Sequence, residues 1–257
     1  MNLSNPSLLS AMAGITDGEF AVRVLKAGAG GVILGSFNID QETLTAAIES
    51  RKRGRQEFCF PLNSLSQHLA DEVDKIRLSH KNESIFLSFR FTAARSVSKI
   101  ISELSESISP DVIIEINAHC RQLEICSVGA GQALLEREDE VRQAIGFLKE
   151  KDFMVSVKTR SLDLNCGKFA AKAADWGADY FHLDAYVPGM PGPDLSAIQT
   201  AAMVDEIAVI GNNSITDPKI AAQVLSTGAK AFSIAREAMK NPQIIGDISK
   251  TLKNDWK

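Results

Sequence analysis

Short apolar runs, rich in β-branched residues, alternate along the whole chain with longer segments whose apolar residues recur at helical spacing. Continuous apolar runs are typical of parallel strands that are buried on both faces, and they argue against antiparallel hairpins. The pattern therefore predicts an α/β fold on a parallel sheet. The predicted strands are Ser7–Met12, Gly31–Leu34, Ser84–Phe89, Asp111–Ile116, Phe153–Lys158, Tyr180–Asp184, Ile207–Gly211 and Ala231–Ala235.

The segments between these runs are predicted to be helices. Gly-Ala pairs stand just before three of the strands, beginning at Gly28, Gly177 and Gly228, as expected of helix C-caps that lead into short turns. The predicted helices are Asp17–Lys26, Gln41–Arg51, Leu65–Leu78, Ala94–Leu104, Glu138–Lys149, Lys168–Trp176, Asp194–Met203, Asp217–Leu225 and Arg236–Leu252.

The number of strand-helix units decides between two architectures. A closed (β/α)₈ TIM barrel takes eight units and roughly 250 residues, which suits a chain of 257. An open doubly wound sheet would accept similar units, but no dinucleotide-binding glycine fingerprint follows the first strand. Polar residues also cluster just after the strand ends. We therefore predict one TIM-barrel domain over residues 1–257.

Charge, cysteine content and hydropathy limit the function and the cellular compartment that can be expected of this chain. The formal net charge of −4 does not indicate nucleic-acid binding, and the basic run 51–55 is interpreted as solvated surface at a helix end. The four cysteines have no framework spacing and no secretory leader is recognised. No apolar stretch is long enough to span a membrane. We expect a soluble, cytoplasmic protein.

Barrel enzymes carry their chemistry in the loops that follow the strands, so polar residues at strand ends are the candidate site. Lys158 ends an apolar strand, where a buried ammonium is costly unless an anionic or electron-rich group stabilises it. That group could belong to a ligand, or it could be the carboxylate of Glu115 or Asp184 in a salt bridge. His182, in the next strand, is either a ligand-binding residue or a buried histidine with satisfied hydrogen bonds.

The ends of strands seven and eight predict a phosphate pocket, which is the usual place for one in such barrels. Asn212 and Asn213 follow the seventh strand, and Ala235 and Arg236 follow the eighth. Small residues at Gly211 and Ala235 would let the backbone approach a phosphate, while Arg236 could add a charge-assisted contact.

Cys120 lies in the loop after strand four, which suits a reacting thiol better than a strand interior does, although the thiol could also be inert. Together with His119 and Cys126 it makes a poor zinc pattern, because no second pair of ligands accompanies them. We predict no metal site.

At these strand ends the sequence resembles the dihydrouridine synthases, and more closely their short, barrel-only archaeal-type relatives. The motifs occur in the family's order over nearly the whole chain. They are M-A-G-V-T-D at Met12–Asp17, I-N-x-G-C-P at Ile116–Arg121, G-x-G-x-x-L-L at Gly129–Leu135, K-x-R at Lys158–Arg160, the phosphate-side Asn-Gly at Asn212–Asn213 and D-I-T-D-P at Ser214–Pro218.

The resemblance implies flavin mononucleotide (FMN) over the barrel mouth, NAD(P)H as its reductant, and hydride transfer to the C5–C6 bond of uridine in RNA. It implies that Cys120 is the general acid that protonates C5, and that Asn117 and Arg160 bind the substrate. It places Lys158 at the flavin N1/O2 edge, where negative charge develops on reduction. The other implied cofactor-binding residues are Met12, Ala13, His182, Asn212, Asn213, Ala235 and Arg236.

The chain departs from the family's motifs at several points. The family's G-C-P is His119–Arg121 here, and its H-G-R-T is His182–Ala185, which exchanges a cation for an anion at Asp184. The glutamine usual at the end of strand three is not obvious near Arg90. The chain ends one helix after strand eight, so we expect no C-terminal helical tRNA-binding domain.

Three functions remain open on the sequence alone. The first is a dihydrouridine synthase with RNA, tRNA in particular, as its partner. The second is a flavin oxidoreductase that acts on a small pyrimidine or enone, as dihydroorotate dehydrogenases do, which the acidic charge and Asp184 would suit. The third is a non-catalytic barrel with a binding or assembly role.

Overall fold

A computed structural model describes the chain over residues 5–255. Each strand pairs in parallel with the next, and the eighth pairs with the first, which closes the sheet into a barrel. The predicted (β/α)₈ fold is confirmed. The strands are β1 (Ser7–Leu9), β2 (Gly31–Asn38), β3 (Ser84–Arg90), β4 (Ile113–Asn117), β5 (Val155–Arg160), β6 (Tyr180–Asp184), β7 (Ala208–Asn212) and β8 (Ala231–Ile234).

Helices surround the barrel, and several begin at a side-chain cap. Asp17, Asp40, Asn165, Asp194 and Asp217 each accept a hydrogen bond from a backbone N–H of the first turn, a contact worth about 1 kcal/mol. No helix in residues 5–255 is long and apolar enough to cross a membrane. The helices are α1 (Gly18–Ala27), α2 (Gln41–Lys52), α3 (Leu65–Arg77), α4 (Ala94–Leu104), α5 (Leu123–Ser127), α6 (Glu138–Lys149), α7 (Cys166–Asp175), α8 (Leu195–Ala202), α9 (Pro218–Ser226), α10 (Arg236–Lys240) and α11 (Gln243–Asp255).

The barrel interior changes from apolar to polar along the strands. One layer of inward-facing side chains is apolar and includes Ile113, Tyr180 and Ala231. Because side chains two positions apart on a strand face the same way, the next layer is formed by residues two positions further on. That layer is polar and buried, with Glu115, His182 and Ser233 following the three residues just named. The strands therefore deliver a polar layer below the barrel mouth.

Most strands differ from their predicted bounds by one or two residues, and β1 and β2 differ most. β1 was predicted to reach Met12 but ends at Leu9, because the Met12 N–H donates to Thr16 Oγ1 (2.9 Å) and closes a turn. β2 continues to Asn38, beyond the predicted end, and its register against β3 shifts between Gly35 and Phe37.

Two helical regions also differ. The short helix α5 and the 3₁₀ segment Gly131–Glu136 fall where no helix is predicted, since neither is long enough to show a period. The last helix is predicted as one but is two, α10 and α11. Asn241 between them is extended, because a proline at 242 disfavours helical backbone in the residue before it.

The packing of α11 on α1 leaves no room for a side chain at Gly246, where a Cβ would lie 1.6 Å from the Ala27 carbonyl oxygen. We expect Gly246→Ala to lower the free energy of unfolding by about 1–3 kcal/mol through overpacking. Gly146 in α6 has no atom within 4 Å of such a Cβ. Gly146→Ala should therefore raise the same free energy by about 0.5–1 kcal/mol through helix propensity. Urea unfolding of both variants measures this contrast, and effects of the same sign would contradict it.

Candidate active site

A cavity of about 850 Å³ opens at the carboxyl ends of the strands. A second cavity of about 320 Å³ adjoins it, since Asn213 and Arg236 line both. Most of the site residues predicted from the sequence line these two cavities, although their roles stay predictions. Ala13, Asn117, Cys120, Lys158, Arg160, Asn213 and Arg236 line the larger cavity, and Asn212, Asn213, Ala235 and Arg236 line the smaller one.

Two nominated residues lie elsewhere. Met12 packs against the main hydrophobic core behind the turn after β1. His182 is fully buried below the mouth, where its Nδ1 lies 2.6 Å from Glu115 Oε2 and its Nε2 lies 2.7 Å from Ser233 Oγ. His182 is thus a buried histidine with both ring nitrogens satisfied. Its contact with a flavin stays a prediction.

The buried pair of Glu115 and His182 has a defined charge state at neutral pH. Burial opposes ionisation of Glu115, but the charge and hydrogen bond of His182 and the charge of Lys158 lower its pKa to about 2. Burial, with the charge of Lys158, lowers the pKa of His182 to about 4. A neutral His182 therefore donates from Nδ1 to the carboxylate and accepts at Nε2 from the Ser233 hydroxyl. Asn212 Nδ2 donates to the same hydroxyl oxygen (2.7 Å), which links the pair to the smaller cavity.

Lys158 is buried at the floor of the larger cavity. Its Nζ donates to Ser10 Oγ (2.8 Å) and makes no ion pair with a carboxylate within residues 5–252. The salt bridge to Glu115 or Asp184, considered from the sequence, does not form. Burial lowers the pKa of Lys158, and the two carboxylates only partly oppose that shift. The ammonium thus faces the cavity without a bonded anion.

Arg160 presents a second buried cation to the same cavity. Its guanidinium carbon lies 5.0 Å from the centre of the Tyr186 ring, and its Nε has no hydrogen-bond partner. The residue is only 6% exposed, and it forms no ion pair within residues 5–252. Buried donors are normally satisfied, so a carbonyl or anionic group of a ligand fits this place.

Asn117 shapes the loop that carries Cys120. Its Oδ1 accepts from the backbone N–H groups of His119 (3.2 Å) and Cys120 (3.0 Å), and its Nδ2 donates to Ser36 Oγ (2.6 Å). One amide oxygen therefore holds the backbone of the loop at His119 and Cys120, and substrate binding by Asn117 stays a prediction. No group of three potential metal ligands occurs within the described part of the chain.

The turn after β7 joins the two cavities. Asn213 and Ser214 both have positive φ (84° and 54°), a conformation that asparagine tolerates better than most residues. The Asn213 amide donates to Asp184 Oδ1 (2.8 Å) and accepts from Arg236 Nη2 (3.1 Å). This places Arg236 at the boundary between the two cavities, and Ala235 precedes it without a side chain that would fill the space.

A charged group at the end of β3 was not predicted from the sequence. Arg90 lines the cavity and pairs with Glu57 (2.6 Å), whose other oxygen accepts from Gln122 Nε2 (2.6 Å). Arg90 was visible as a polar strand end, where the family's glutamine is absent. Glu57 lies in an irregular segment without any pattern. Arg55, interpreted as solvated surface, also lines the cavity.

A hydrogen bond between His119 and Asp184 was also not predicted, and both residues are departures from the family's motifs. His119 Nε2 lies 2.5 Å from Asp184 Oδ2. Burial would raise the pKa of Asp184, but the hydrogen bond and charge of His119, together with Asn213, hold it well below its usual range. Each residue was noted separately, and no sequence spacing showed that they would meet.

Comparison with known proteins supports the motif resemblance. The model of the dihydrouridine synthase family matches residues 9–257. The chain belongs to the dihydrouridine synthase family. An uncharacterized protein from Methanocaldococcus jannaschii is 31% identical over 255 residues, which is 96% of this chain and 95% of that relative.

Curated synthases are more distant relatives of this family member. The tRNA-dihydrouridine synthase B of Salmonella typhimurium is 26% identical over 96% of this chain and 72% of its own length. That of Pectobacterium carotovorum is 26% identical over 73% of this chain and 61% of its own length. Among solved structures, a mutant of FabK from Thermotoga maritima has a TM-score of 0.56 at 16% identity, over 91% of this chain and 61% of that one. This last similarity shows the fold.

Proposed function

We propose that this protein is an FMN-dependent tRNA-dihydrouridine synthase, which reduces the C5–C6 bond of uridine in RNA with electrons from NAD(P)H. The observation that carries the proposal is the buried ammonium of Lys158, which faces a mouth cavity without a bonded carboxylate. Cys120 and Arg160 line the same cavity. Family membership and the tRNA-dihydrouridine synthases among the relatives support the substrate.

The donor groups at the mouth fit a flavin. Lys158 would hold the N1/O2 edge of the ring, where its positive charge would stabilise the electron density that rises on reduction. Cavities of about 850 and 320 Å³ lie in the range of cofactor sites. The residues for the phosphate end are Asn212, Asn213, Ala235 and Arg236. When bound, the flavin supplies the hydride that adds to C6 of the pyrimidine.

The protein's own residues then position the base and supply a proton. Cys120 donates its thiol proton to C5 of the uracil ring, and Asn117 holds the backbone on both sides of His119 in place for this transfer. Arg160, stacked on Tyr186, donates to a uracil carbonyl oxygen and so satisfies its buried Nε–H.

The test is to load the purified protein with FMN and NADPH, add a tRNA transcript that contains no modified nucleosides, and measure dihydrouridine by mass spectrometry of the digest. We expect visible flavin absorption and dihydrouridine that accumulates with time. Lys158→Met should weaken FMN binding about 10–100-fold, the usual loss for a charged hydrogen bond. Lys172→Met, at an exposed ion pair with Glu138, is the matched control and should bind normally.

A second candidate is a flavin oxidoreductase that acts on a small pyrimidine or enone. The carboxylate of Asp184 at the mouth favours it, since an anion there disfavours a phosphate-bearing substrate. Turnover of free pyrimidines or enones by a flavin-loaded protein that leaves tRNA unchanged would select this candidate. A colourless protein that fails to take up FMN would exclude both and leave a non-catalytic barrel.

A further inference from the structure

The larger cavity carries a positive charge that the net charge of −4 conceals. Six cationic side chains line it, whereas Asp184 is the only carboxylate among its lining residues in the part of the chain that the structure describes. Three of the cations are buried inside, namely Arg90, Lys158 and Arg160. The other three are exposed at the entrance, namely Arg55, Arg121 and Arg236. The entrance therefore attracts anions although the chain as a whole is acidic.

Two of the exposed cations, Arg55 and Arg121, lie on loops that are joined to each other beside the entrance. Gln122, which follows Arg121, donates from Nε2 to Glu57 Oε1 (2.6 Å). The Gln122 Oε1 accepts from Ser50 Oγ (2.8 Å) near the end of α2. These contacts hold the loop after α2 against the loop after β4. The two residues, called the rim arginines below, are thus presented on neighbouring loops of one cavity.

No carboxylate neutralises the rim arginines. Glu57 is buried and pairs with Arg90 (2.6 Å), and Glu124 pairs with Arg53. The carboxylates on these two loops are thus already engaged by other cations. The rim arginines themselves make no ion pair and no side-chain hydrogen bond within residues 5–252. Their charge is available to a partner outside the chain.

The partner that fits this position is the phosphate backbone of an RNA strand. A uridine whose base enters the cavity keeps its ribose and the adjoining phosphates outside, so phosphate groups come to lie at the entrance. Guanidinium groups bind phosphate through paired, charge-assisted hydrogen bonds. Asp184 is buried and bonded to His119 and Asn213, so its charge opposes a phosphate inside the cavity rather than one at the entrance.

We propose that Arg55 and Arg121 are RNA-binding residues, which hold phosphate groups next to the target uridine at the entrance of the barrel. This rests on the proposed function, whose substrate is RNA. Arg121 stands where the family's G-C-P motif has proline, so its contact belongs to this chain and not to that motif. The barrel therefore carries an RNA-binding surface of its own on the loops after α2 and β4.

The salt dependence of RNA binding tests this assignment, because each phosphate that a cation contacts releases a counterion. A fluorescently labelled tRNA transcript without modified nucleosides is titrated with protein at several sodium chloride concentrations, and anisotropy gives Kd. We expect Arg55→Gln combined with Arg121→Gln to raise Kd about ten-fold or more at roughly 0.1 M salt. The slope of log Kd against log salt concentration should decrease by about one for each arginine removed.

The matched control removes the same charge from the opposite end of the barrel. Lys81 and Lys230 are exposed and precede β3 and β8, at the amino ends of the strands. Lys81→Gln combined with Lys230→Gln should therefore keep the wild-type Kd and slope. Flavin absorption after loading with FMN should match the wild type in both double variants, because none of the four side chains lies inside the barrel.

NADPH also carries phosphate groups, so its binding is measured beside that of RNA. Titration of NADPH fluorescence should give the same Kd for the wild type and for the variant without the rim arginines. Weaker NADPH binding together with unchanged RNA binding would overturn the proposal and assign these arginines to the reductant.

The remaining outcomes are separable. Equal salt slopes in the wild type and in the variant without the rim arginines overturn the proposal. An equal decrease in the lysine control also does so, since net charge rather than position would then decide binding. Wild-type protein that does not bind tRNA at low salt is a third contradiction. Flavin-loaded wild type that forms no dihydrouridine contradicts the proposed function, while the slopes still decide whether the rim arginines bind RNA.

Discussion

Cys120→Ala is expected to lower dihydrouridine formation by about 10²–10⁴-fold, the range that a positioned general acid contributes. The thiol is the proton donor proposed for C5, and alanine removes it with little change in packing among Ala46, Ile125 and Ala130. Flavin uptake should stay normal, since Lys158 and the turn at Asn213 are untouched. Single-turnover formation of dihydrouridine on tRNA by reduced protein measures the effect.

Two controls make that result specific to the thiol. Cys120→Ser keeps the size of the side chain but offers a far weaker acid, so it should be nearly as slow as Cys120→Ala. Cys59→Ala removes a thiol that lines neither cavity and should keep wild-type rates. If Cys120→Ala binds FMN and forms dihydrouridine at the wild-type rate, Cys120 is not the general acid. That result would favour a reaction that does not need Cys120 to protonate C5.

The fold was accessible from the sequence because buried parallel strands and amphipathic helices each have a local pattern. β6 was predicted with its observed bounds, and the other strands within a few residues. The errors arose where local pattern is weak. α5 is too short to show a period, and the break between α10 and α11 depends on a single proline at 242.

The site was partly accessible for a different reason. In a barrel every strand end meets at one rim, so strand-end residues such as Lys158, Asn117 and Asn213 could be grouped without a structure. The contacts between a strand end and a distant loop could not be predicted, since no local pattern joins Asp184 to His119 or Arg90 to Glu57. The hydrogen-bond partners of His182, which are Glu115 and Ser233, also could not be named from the sequence.

His182→Ala is expected to lower the free energy of unfolding by about 3–5 kcal/mol at pH 7, the usual loss when the removal of one partner leaves a buried charge unpaired. The carboxylate of Glu115 would remain fully buried without the Nδ1–H that now satisfies it (2.6 Å). Glu115→Met combined with His182→Leu removes both polar groups and should be less destabilised than His182→Ala alone. Urea unfolding of the three proteins gives the comparison.

The pH dependence of this loss follows from the two pKa values of the pair. The pKa of His182 falls from an ordinary 6.5 to about 4 on folding, and that of Glu115 falls from 4.5 to about 2. Between pH 6.5 and 2 the unfolded chain therefore binds more protons than the folded one, so the free energy of unfolding of the wild type decreases as the pH falls. In His182→Ala the histidine no longer contributes to this pH dependence, and protonation of the unpaired Glu115 removes the cost of burying its charge.

The difference in the free energy of unfolding between wild type and variant should therefore shrink steadily on acidification from pH 7 to pH 4. A difference that grows over this range, or that stays below about 1 kcal/mol at pH 7, would show that the Glu115–His182 pair does not anchor the polar layer beneath the barrel mouth.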